Sequence, residues 1–336
     1  MHILNGLSGG GQMLRTALTL SMITGEAFRM TEIRGKRQRP GLMRQHLTCV
    51  KAAAAICDAT VDGAEIGSTS IVFRPGKLRG GDYQFAIGTA GSTGLLFQTL
   101  FPALCHADAP STLLLEGGTH NPLAPPFEFL ESVFLPAVAR LGFGGNLELL
   151  ESGFAPVGGG IVRASVQPSG KLSPCDLIDR GALRKLTIRV PVRNLPVSIA
   201  ERIRDTAHAI FPDADAAVEL REPGPGRGVC VLIGSEFEHH TEMTSAFGEQ
   251  GVSAEKVALR AARSMRDFIA TGAAIGRCLA DQLLLPMALA GGGGFLTMPV
   301  DDHVPTNIGV IEKFLPLRIR HDPAGSGLVR MTLGPA

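Results

Sequence analysis

The sequence predicts a mixed α/β (α+β) fold made of three repeated units, each a four-stranded sheet with two helices, plus a smaller inserted α/β domain. Three observations support this prediction: an internal repeat, short strand-like segments between the predicted helices, and a long stretch that separates the second unit from the third. The chain has 336 residues, of which 45% are hydrophobic, enough for one large or two ordinary domains with a sizeable core.

The internal repeat links the first two units. Gly9 begins a glycine-rich turn that leads into an apolar helical run, and Gly91 begins a second such run 82 positions later. Under this offset the apolar residues of the two runs coincide, with a spacing of about three to four residues that is typical of one buried helical face. Pro40 and Pro122, again 82 positions apart, each precede a second helix, because proline suits the first turn of a helix.

The third unit is predicted late in the chain, with helices over 281–289 and 304–315. Strand-like segments in the first two units are 28–33, 70–73, 83–87, 112–115, 147–150 and 160–166. The interval before the third unit has its own predicted elements: strand 186–192, helix 198–211, strands 216–220 and 228–233, and helix 254–271. We therefore expect a small α/β domain at 178–272, inserted through surface connections into a repeat-built domain at 1–177 and 273–336.

Composition and charge limit the class of protein. The net charge is +1, so a binding site for a polyanion must be a local patch and not a property of the whole surface. The six cysteines show no CxxC spacing, so neither a zinc ribbon nor a redox pair is indicated. No signal peptide is recognisable, and no uncharged apolar run reaches the length of a membrane span. A soluble, cytoplasmic protein is the expectation.

A basic stretch is the first candidate binding site. No Asp or Glu occurs from Ile33 to Cys57, whereas six cations do: Arg34, Lys36, Arg37, Arg39, Arg44 and Lys51. Guanidinium groups bind phosphate oxygens through two parallel hydrogen bonds, and a following helix start adds N–H donors. The alternative is an ordinary solvated face, although such faces usually interleave acids with bases.

Two further segments could carry chemistry. The turn from Ser8 to Gln12 opens a helix and could hold an anion, but it has neither the Lys-Ser/Thr of a P-loop nor a GxGxxG pattern, so a close-packing turn is equally compatible. His303 follows the four glycines of 291–294 within a Pro- and Asn-bearing segment. We expect it in a loop, where a neutral imidazole can act as a nucleophile toward phosphorus. A surface histidine without a role is the alternative.

Other histidines are expected to be inert. His120 lies in the Pro-rich segment 117–126 without a partner at metal-ligand spacing, so we expect it to be hydrogen-bonded. His239 and His240 are expected to be solvated.

Together these segments resemble the RNA 3′-terminal phosphate cyclase family over most of the chain. Six blocks match in order: 9–15, 39–46, 118–126, 153–160, 279–290 and 303–307. The resemblance implies the three-unit fold with its insert, and an enzyme that uses ATP and a divalent metal ion (Mg²⁺ or Mn²⁺) to convert an RNA 3′-phosphate into a 2′,3′-cyclic phosphate. It implies that His303 attacks the α-phosphate of ATP and carries AMP, which passes to the RNA before the 2′-OH displaces it.

The resemblance also implies roles for individual residues. ATP-binding positions are Gln98, Pro125, Cys278, Leu279, Ala280, Asp281 and Gln282. Candidates for binding phosphate and RNA are Arg15, Arg34, Arg37, Arg39, Arg44 and Gln45. Asp281 either hydrogen-bonds the nucleotide or caps its helix.

The chain departs from the family pattern at several positions. Ser8 stands where these enzymes usually have a metal-binding glutamate, and a hydroxyl is a much weaker ligand for a hard cation. Asn5-Gly6 replaces the usual Asp-Gly, and Cys278 replaces an expected aromatic residue that stacks on adenine. Two alternatives therefore stay open: a non-catalytic cyclase-like protein that binds RNA or assists ribosome assembly, and an unrelated transferase for a phosphorylated small molecule. The presence of His303 favours the enzyme, and Ser8 favours the non-catalytic protein.

Overall fold

The computed structural model describes residues 1–301 and 303–336, and the side chain of His303 lies outside the described part. The described strands form four sheets of four strands each. The first unit contains β1 (His2–Asn5), α1 (Gly11–Thr24), β2 (Phe28–Thr31), α2 (Arg44–Cys57), β3 (Thr60–Asp62) and β4 (Ile71–Arg74). Its strand order is β1-β2-β4-β3, with β1 parallel to β2 and the other pairs antiparallel.

The second unit repeats this arrangement. It contains β5 (Asp82–Ala86), α3 (Thr93–Leu104), β6 (Ser111–Gly117), the consecutive helical pieces α4 (Phe127–Phe129), a π-helical stretch (Leu130–Phe134) and α5 (Leu135–Ala139), then β7 (Gly144–Glu151) and β8 (Gly160–Gln167). The order is β5-β6-β8-β7, again with one parallel pair and two antiparallel pairs. In both units the first helix connects the two parallel strands.

The next elements along the chain are one short strand and a fourth sheet with its helices. They are β9 (Cys175–Leu177), β10 (Leu183–Arg193), α6 (Val197–Ile210), β11 (Asp215–Leu220), β12 (Gly228–Phe237), β13 (Thr241–Phe247) and α7 (Ala254–Ala270). β10 to β13 pair in the order β11-β10-β12-β13. This sheet packs against α6 and α7 around its own apolar cluster, which includes Ile188, Ile203 and Met265. The domain boundaries at 178 and 272 stay a prediction.

The third unit consists of β9 together with elements that follow the fourth sheet. They are α8 (Arg277–Leu289), β14 (Gly293–Thr297), α9 (His303–Phe314), β15 (Leu317–Pro323) and β16 (Val329–Pro335). The sheet order is β15-β16-β14-β9, and β9 is parallel to β14. The insertion therefore interrupts the third unit between its first strand and first helix. The predicted fold class, three four-stranded units with two helices each plus an α/β insert, is confirmed.

One hydrophobic core runs through all three units. Leu14 of α1, Leu96 of α3 and Leu283 of α8 are each 0% exposed within it. Buried apolar area of this kind is the main stabilising term in folding. Helices α1, α2 and α3 therefore pack against one another, and α8 and α9 complete the same layer.

The predicted loop at His303 is wrong, because α9 begins at this residue. Pro305 lies in the first turn of α9, where a proline is tolerated since its missing N–H would have no helical partner. The last two of the four glycines at 291–294 belong to β14. A Cβ at Gly293 would lie 2.2 Å from the carbonyl oxygen of Cys175, so glycine permits the close approach of β9.

Within residues 1–301 and 303–336, no helix combines the length and the apolar character that crossing a bilayer requires.

Candidate active site

The start of α1 forms a cationic pocket. Its N-cap residue, Gly10, provides no side-chain cap, so the first backbone N–H groups of the helix are available to an anion. Arg15, one turn further along, is half-buried at the same end of the helix. Burial lowers the pKa of Arg15, while the nearby Cys49 and Asp281 act in the opposite direction. The guanidinium stays charged near neutral pH, because arginine titrates far above this range.

His46 of α2 completes this pocket, and the sequence analysis did not single it out. A Cβ added at Gly11 would lie 2.3 Å from Nε2 of His46 and 3.1 Å from Nη1 of Arg15, so both side chains converge on the first turn of α1. Nδ1 of His46 accepts a hydrogen bond from the N–H of Met43 at 3.2 Å. Burial, followed by the charges of Arg15 and Arg34, lowers the pKa of His46 to about 3. We therefore assign a neutral ring with its hydrogen on Nε2, facing the helix start.

The predicted basic stretch divides into two parts. Nη1 of Arg34 donates to the carbonyl oxygens of Arg39 and Gly41, both at 2.8 Å, and so holds the loop between β2 and α2 in shape. Arg37 and Arg39 are exposed on the same loop and are accessible to a large polyanion. Burial and the neighbouring Arg37 lower the pKa of Arg34.

Arg44 and Gln45 lie at the junction between α2 and the loop that precedes α3. Oε1 of Gln45 accepts a hydrogen bond from the N–H of Ser92, the N-cap residue of α3, at 3.0 Å. Nη1 of Arg44 lies near Gly88 in the loop before α3: a Cβ added at Gly88 would be 4.0 Å from it. The two residues therefore link the basic loop to the start of α3.

Two predicted ATP-binding residues meet between α3 and α8. Nε2 of Gln98 donates to Oε1 of Gln282 at 2.5 Å, and Nε2 of Gln282 donates to the carbonyl oxygen of Cys278 at 2.8 Å. Pro125 packs beside the first turn of α3, where its carbonyl oxygen would lie 3.3 Å from a Cβ added at Gly94. The structure thus brings Gln98, Gln282, Cys278 and Pro125 to the α3–α8 region.

The other residues of the 278–282 run differ in accessibility. The side chains of Leu279 and Ala280 are buried, so a nucleotide could contact these residues only through the main chain. Cys278 is exposed as a whole residue, whereas its thiol is partly desolvated. Burial raises the pKa of its thiol to about 11, as do the negative charges of Glu242, Asp301 and Asp281. The thiol is therefore neutral at physiological pH.

Asp281 connects three helices. Nε2 of Gln12 in α1 donates to Oδ2 of Asp281. Nδ2 of Asn307 in α9 donates to Oδ1 at 3.3 Å, and Oδ1 of Asn307 in turn accepts from the hydroxyl of Thr16 at 2.7 Å. These contacts fix α8 against the cationic end of α1.

The Pro-rich segment before α4 is held by a buried polar network. Nε2 of His120 lies 3.0 Å from Oε2 of Glu128, and its ring stacks on Phe154 with the centroids 4.7 Å apart. Nη2 of Arg221, which follows β11, donates to Oε1 of Glu128 at 2.7 Å. Burial acts to raise the pKa of Glu128, but His120 and Arg221 lower it below its ordinary value. His120 is hydrogen-bonded, as expected from the sequence.

Two predicted residues lie near the start of α1 and α9. Ser8 is exposed in the turn before α1, close to the basic loop, because the N–H of Lys36 donates to the carbonyl oxygen of Leu7 at 3.1 Å. His303 is the first residue of α9, the helix whose Asn307 contacts Asp281. The predicted role of the His303 imidazole lies outside the described residues.

The described residues form a three-unit α/β protein in which the side chains of Arg15 and His46 converge on the first turn of α1. Comparison with known proteins identifies the family: the family described as RNA 3′-terminal phosphate cyclase matches residues 7–321. The chain belongs to this family, as the sequence analysis predicted.

Individual relatives agree with this assignment. The RNA 3′-terminal phosphate cyclase of Pseudomonas fluorescens is 48% identical over 98% of this chain and 96% of its own length. That of Ralstonia nicotianae is 50% identical over 93% of this chain and 90% of its own length. Among solved structures, the enolpyruvyl transferase NikO from Streptomyces tendae has a TM-score of 0.39 at 11% identity and covers 98% of this chain and 48% of its own, a likeness too low to inform fold or function. The prediction of a cyclase-type enzyme is therefore confirmed at the level of the family.

Proposed function

We propose that this protein converts an RNA 3′-terminal phosphate into a 2′,3′-cyclic phosphate at the expense of ATP. The observation that carries the proposal is the match to cyclases over nearly the whole chain at 48% and 50% identity. The convergence of Arg15, His46 and the first turn of α1 supports it, since a reaction among phosphates needs such a pocket.

The chemistry explains why ATP is needed. A phosphate monoester is a poor electrophile, and its oxygens are poor leaving groups. In the proposed sequence, an imidazole nitrogen of His303 attacks the α-phosphate of ATP and pyrophosphate leaves. An oxygen of the RNA 3′-phosphate then takes AMP from the histidine, which forms a mixed anhydride. The terminal 2′-OH attacks the 3′-phosphorus, AMP leaves, and the hydroxyl proton passes to solvent. Intramolecular attack is fast because the nucleophile is already in position.

The residues would divide the work by location. Arg15, the N–H of His46 and the helix start would bind phosphates during each transfer. Arg37, Arg39 and Arg44 are exposed beside that pocket and would contact the RNA backbone. Gln98, Gln282, Pro125 and the neutral Cys278 would line the nucleoside site. A cysteine stacks on adenine less well than an aromatic ring does, so we expect looser ATP binding than in relatives that have an aromatic residue there.

The residues of this chain fit a divalent metal ion only if it binds together with ATP. Among residues 1–301 and 303–336, no group of three or more His, Cys, Asp or Glu side chains could hold a metal ion. Ser8, the expected ligand position, offers a hydroxyl. Mg²⁺ or Mn²⁺ would therefore take most of its ligands from phosphate oxygens and water, as Mg²⁺ commonly does.

Ser8 also favours a second candidate, a non-catalytic cyclase-like protein that binds RNA or assists ribosome assembly. Such a protein would bind RNA through the exposed arginines without turning over ATP. RNA with a 3′-phosphate end is the proposed partner in the first case, and the cytoplasm stays the expected location in both.

A cyclisation assay tests the proposal. An RNA oligonucleotide with a labelled 3′-phosphate is incubated with protein, ATP and Mg²⁺ or Mn²⁺, and then treated with alkaline phosphatase. We expect phosphatase-resistant label, and we expect none from an oligonucleotide whose last ribose lacks the 2′-OH. Arg15→Gln should lower the rate about a hundredfold, whereas Arg29→Gln on exposed β2 should not. RNA binding without resistant product under either metal would overturn the enzyme and support the non-catalytic protein.

A further inference from the structure

A buried carboxylate of the fourth sheet contacts the start of α8. Glu242 of β13 is 2% exposed. Its Oε2 accepts a hydrogen bond from the N–H of Gly276 at 2.7 Å, and its Oε1 accepts one from the N–H of Met243 at 3.0 Å. A buried carboxylate is costly unless it is hydrogen-bonded, and here both oxygens are. The contact joins a strand and a helix that are distant in sequence.

Glu242 takes the place of a side-chain cap for α8. Gly276 is the N-cap residue of this helix and makes no side-chain cap bond of its own. A Cβ at Gly276 would lie 2.7 Å from Oε2 and 2.8 Å from Cδ of Glu242, so glycine makes room for the carboxylate. The φ angle of Gly276 is −75°, which any residue can adopt, so the close contact and not the backbone conformation requires glycine here. A negative charge at this end of the helix also interacts favourably with the helix dipole.

The capped helix is the one that presents the nucleoside-site residues. Cys278 is the second residue of α8 and lies close enough to Glu242 for the carboxylate to raise the pKa of its thiol. One turn further, Gln282 contacts Gln98 of α3, and Asp281 contacts Gln12 of α1 and Asn307 of α9. A shift of the first turn of α8 would therefore displace Cys278 relative to Gln98 of α3.

The ring of His240 lies on the other side of the same carboxylate. Its side chain is 6% exposed, with Nε2 3.7 Å from Oε2 of Glu242. The expectation of a solvated His240 is therefore wrong, because its side chain is almost fully buried. The hydroxyl of Ser235 on β12 donates to the carbonyl oxygen of Glu242 at 3.4 Å. Contacts from several sides therefore fix the position of Glu242.

We propose that Glu242 is a positioning residue for ATP binding: its carboxylate caps α8 from the fourth sheet and holds Cys278 and Gln282 at the nucleoside site. The proposal rests on the proposed function for the identity of the ligand. It assigns the inserted segment a role in the reaction that does not require contact with RNA.

Steady-state kinetics of cyclisation provide the first test. Glu242→Ala should raise the KM for ATP about tenfold, the effect of losing a cap and its charge, while kcat changes less than about threefold because the chemistry of bound ATP is untouched. Glu242→Gln keeps one acceptor for the N–H of Gly276 and should recover part of the loss. Glu236→Ala, an exposed carboxylate on the neighbouring strand β12, is the matched control and should leave KM unchanged.

A double mutant separates the cap from general stability. Gly276→Ala should raise the KM for ATP as Glu242→Ala does, because the new methyl group displaces the carboxylate. In the Glu242→Ala background, Gly276→Ala should add less than about twofold, because the carboxylate it would displace is gone. Independent effects that multiply in full would overturn the proposal, and so would a Glu242→Ala variant that loses kcat while its KM stays constant.

Hydrogen exchange distinguishes failure of this proposal from failure of the proposed function. Without any nucleotide, Glu242→Ala should accelerate exchange of the amides at 276–279 about tenfold, and Glu236→Ala should not. If Glu242→Ala accelerates exchange but the wild-type protein has no cyclase activity, the proposed function is overturned, and the role of Glu242 in ATP binding is overturned with it. Unchanged exchange in an active enzyme would overturn the capping role alone.

Discussion

The imidazole of His46 lies between two arginines and still has a hydrogen to donate. Burial and the charges of Arg15 and Arg34 lower its pKa to about 3, so the ring is neutral at pH 7. A neutral ring adds an N–H donor at the start of α1 without adding a further positive charge beside Arg15 and Arg34. The donor is held in place by the bond between Nδ1 and the N–H of Met43.

The same ring should make the fold sensitive to mild acid. The pKa of His46 is 6.5 in the unfolded chain and about 3 in the folded protein, so protonation favours unfolding. The contribution of the neutral His46 ring to the free energy of unfolding is fully present above pH 6.5. This contribution is lost as the pH falls from 6.5 toward 3. At pH 5 the loss is about 2 kcal/mol. Urea unfolding at pH 7 and pH 5 measures it.

The variant His46→Gln tests this pH dependence, and His208→Gln is its control. The difference in unfolding free energy between pH 7 and pH 5 should shrink by about 2 kcal/mol in His46→Gln. His208 is exposed on α6, so its replacement should leave the difference as it is. An unchanged difference in His46→Gln would contradict the neutral, buried ring.

A substitution at Ser8 is expected to increase the cyclisation activity. It is exposed, so a longer side chain is tolerated there. Ser8→Glu should raise the cyclisation rate about tenfold at subsaturating metal, because a carboxylate binds a hard cation far better than a hydroxyl. Ser8→Gln, of equal length but uncharged, is the control. Equal cyclisation rates of the wild type and Ser8→Glu across a metal titration would contradict a metal-binding role for this position.

At the scale of elements, the long helices and most strands of the first two units and of the fourth sheet were predictable, whereas several short strands were not. Helices α1, α3, α6 and α7 match the predicted segments, since an apolar face repeats over several turns. β14, β15 and β16 escaped prediction. Gly293 and Gly294 hide β14, because glycine has low strand propensity, and its strand character comes from pairing with β9 and β16.

Asp281 shows how one side chain fixes several elements. Asp281→Asn turns one acceptor into a donor, which would then face Gln12 or Asn307. We expect the free energy of unfolding to fall by about 1 kcal/mol, because a partly buried hydrogen bond is replaced by two facing donors. Urea denaturation measures the change. Asp322→Asn, exposed on β15, should stay within about 0.5 kcal/mol of wild type, and equal stability of the two variants would contradict the role of Asp281.

Across the whole molecule, buried charged groups join the fourth sheet to the second unit. Arg193 of β10 is 1% exposed and donates to Glu151 and to the carbonyl oxygens of Ser152 and Glu222. Arg221 reaches Glu128 in the same region. The sequence could not predict these contacts or the pairing of β9 with β14, because each joins segments separated by other elements, and no local pattern records such a pairing. The repeat itself was predictable, because segments 82 positions apart share the same local spacing of apolar residues.

Replacement of Arg193 should weaken this connection. Arg193→Met removes donors from buried carbonyl groups, and we expect a loss of about 3 kcal/mol with a broader, less cooperative unfolding transition. Calorimetry and urea unfolding report both effects. Arg189→Met on the same strand breaks pairs with Asp215 and Glu219, which belong to the fourth sheet itself, and should leave cooperativity intact. A single sharp transition of wild-type stability in Arg193→Met would contradict the account.

The central claim is that the histidine at the start of α9 takes up AMP, and covalent labelling tests it most directly. The protein is incubated with α-labelled ATP and Mg²⁺ or Mn²⁺, denatured, and examined for chain-bound label that is lost in acid and kept in base, as expected of a nitrogen–phosphorus bond. We predict such label in the wild type and in His321→Ala, a variant of an exposed histidine on β15, and none in His303→Ala. Label that persists in His303→Ala, or its absence from the wild type under both metals, would contradict the account.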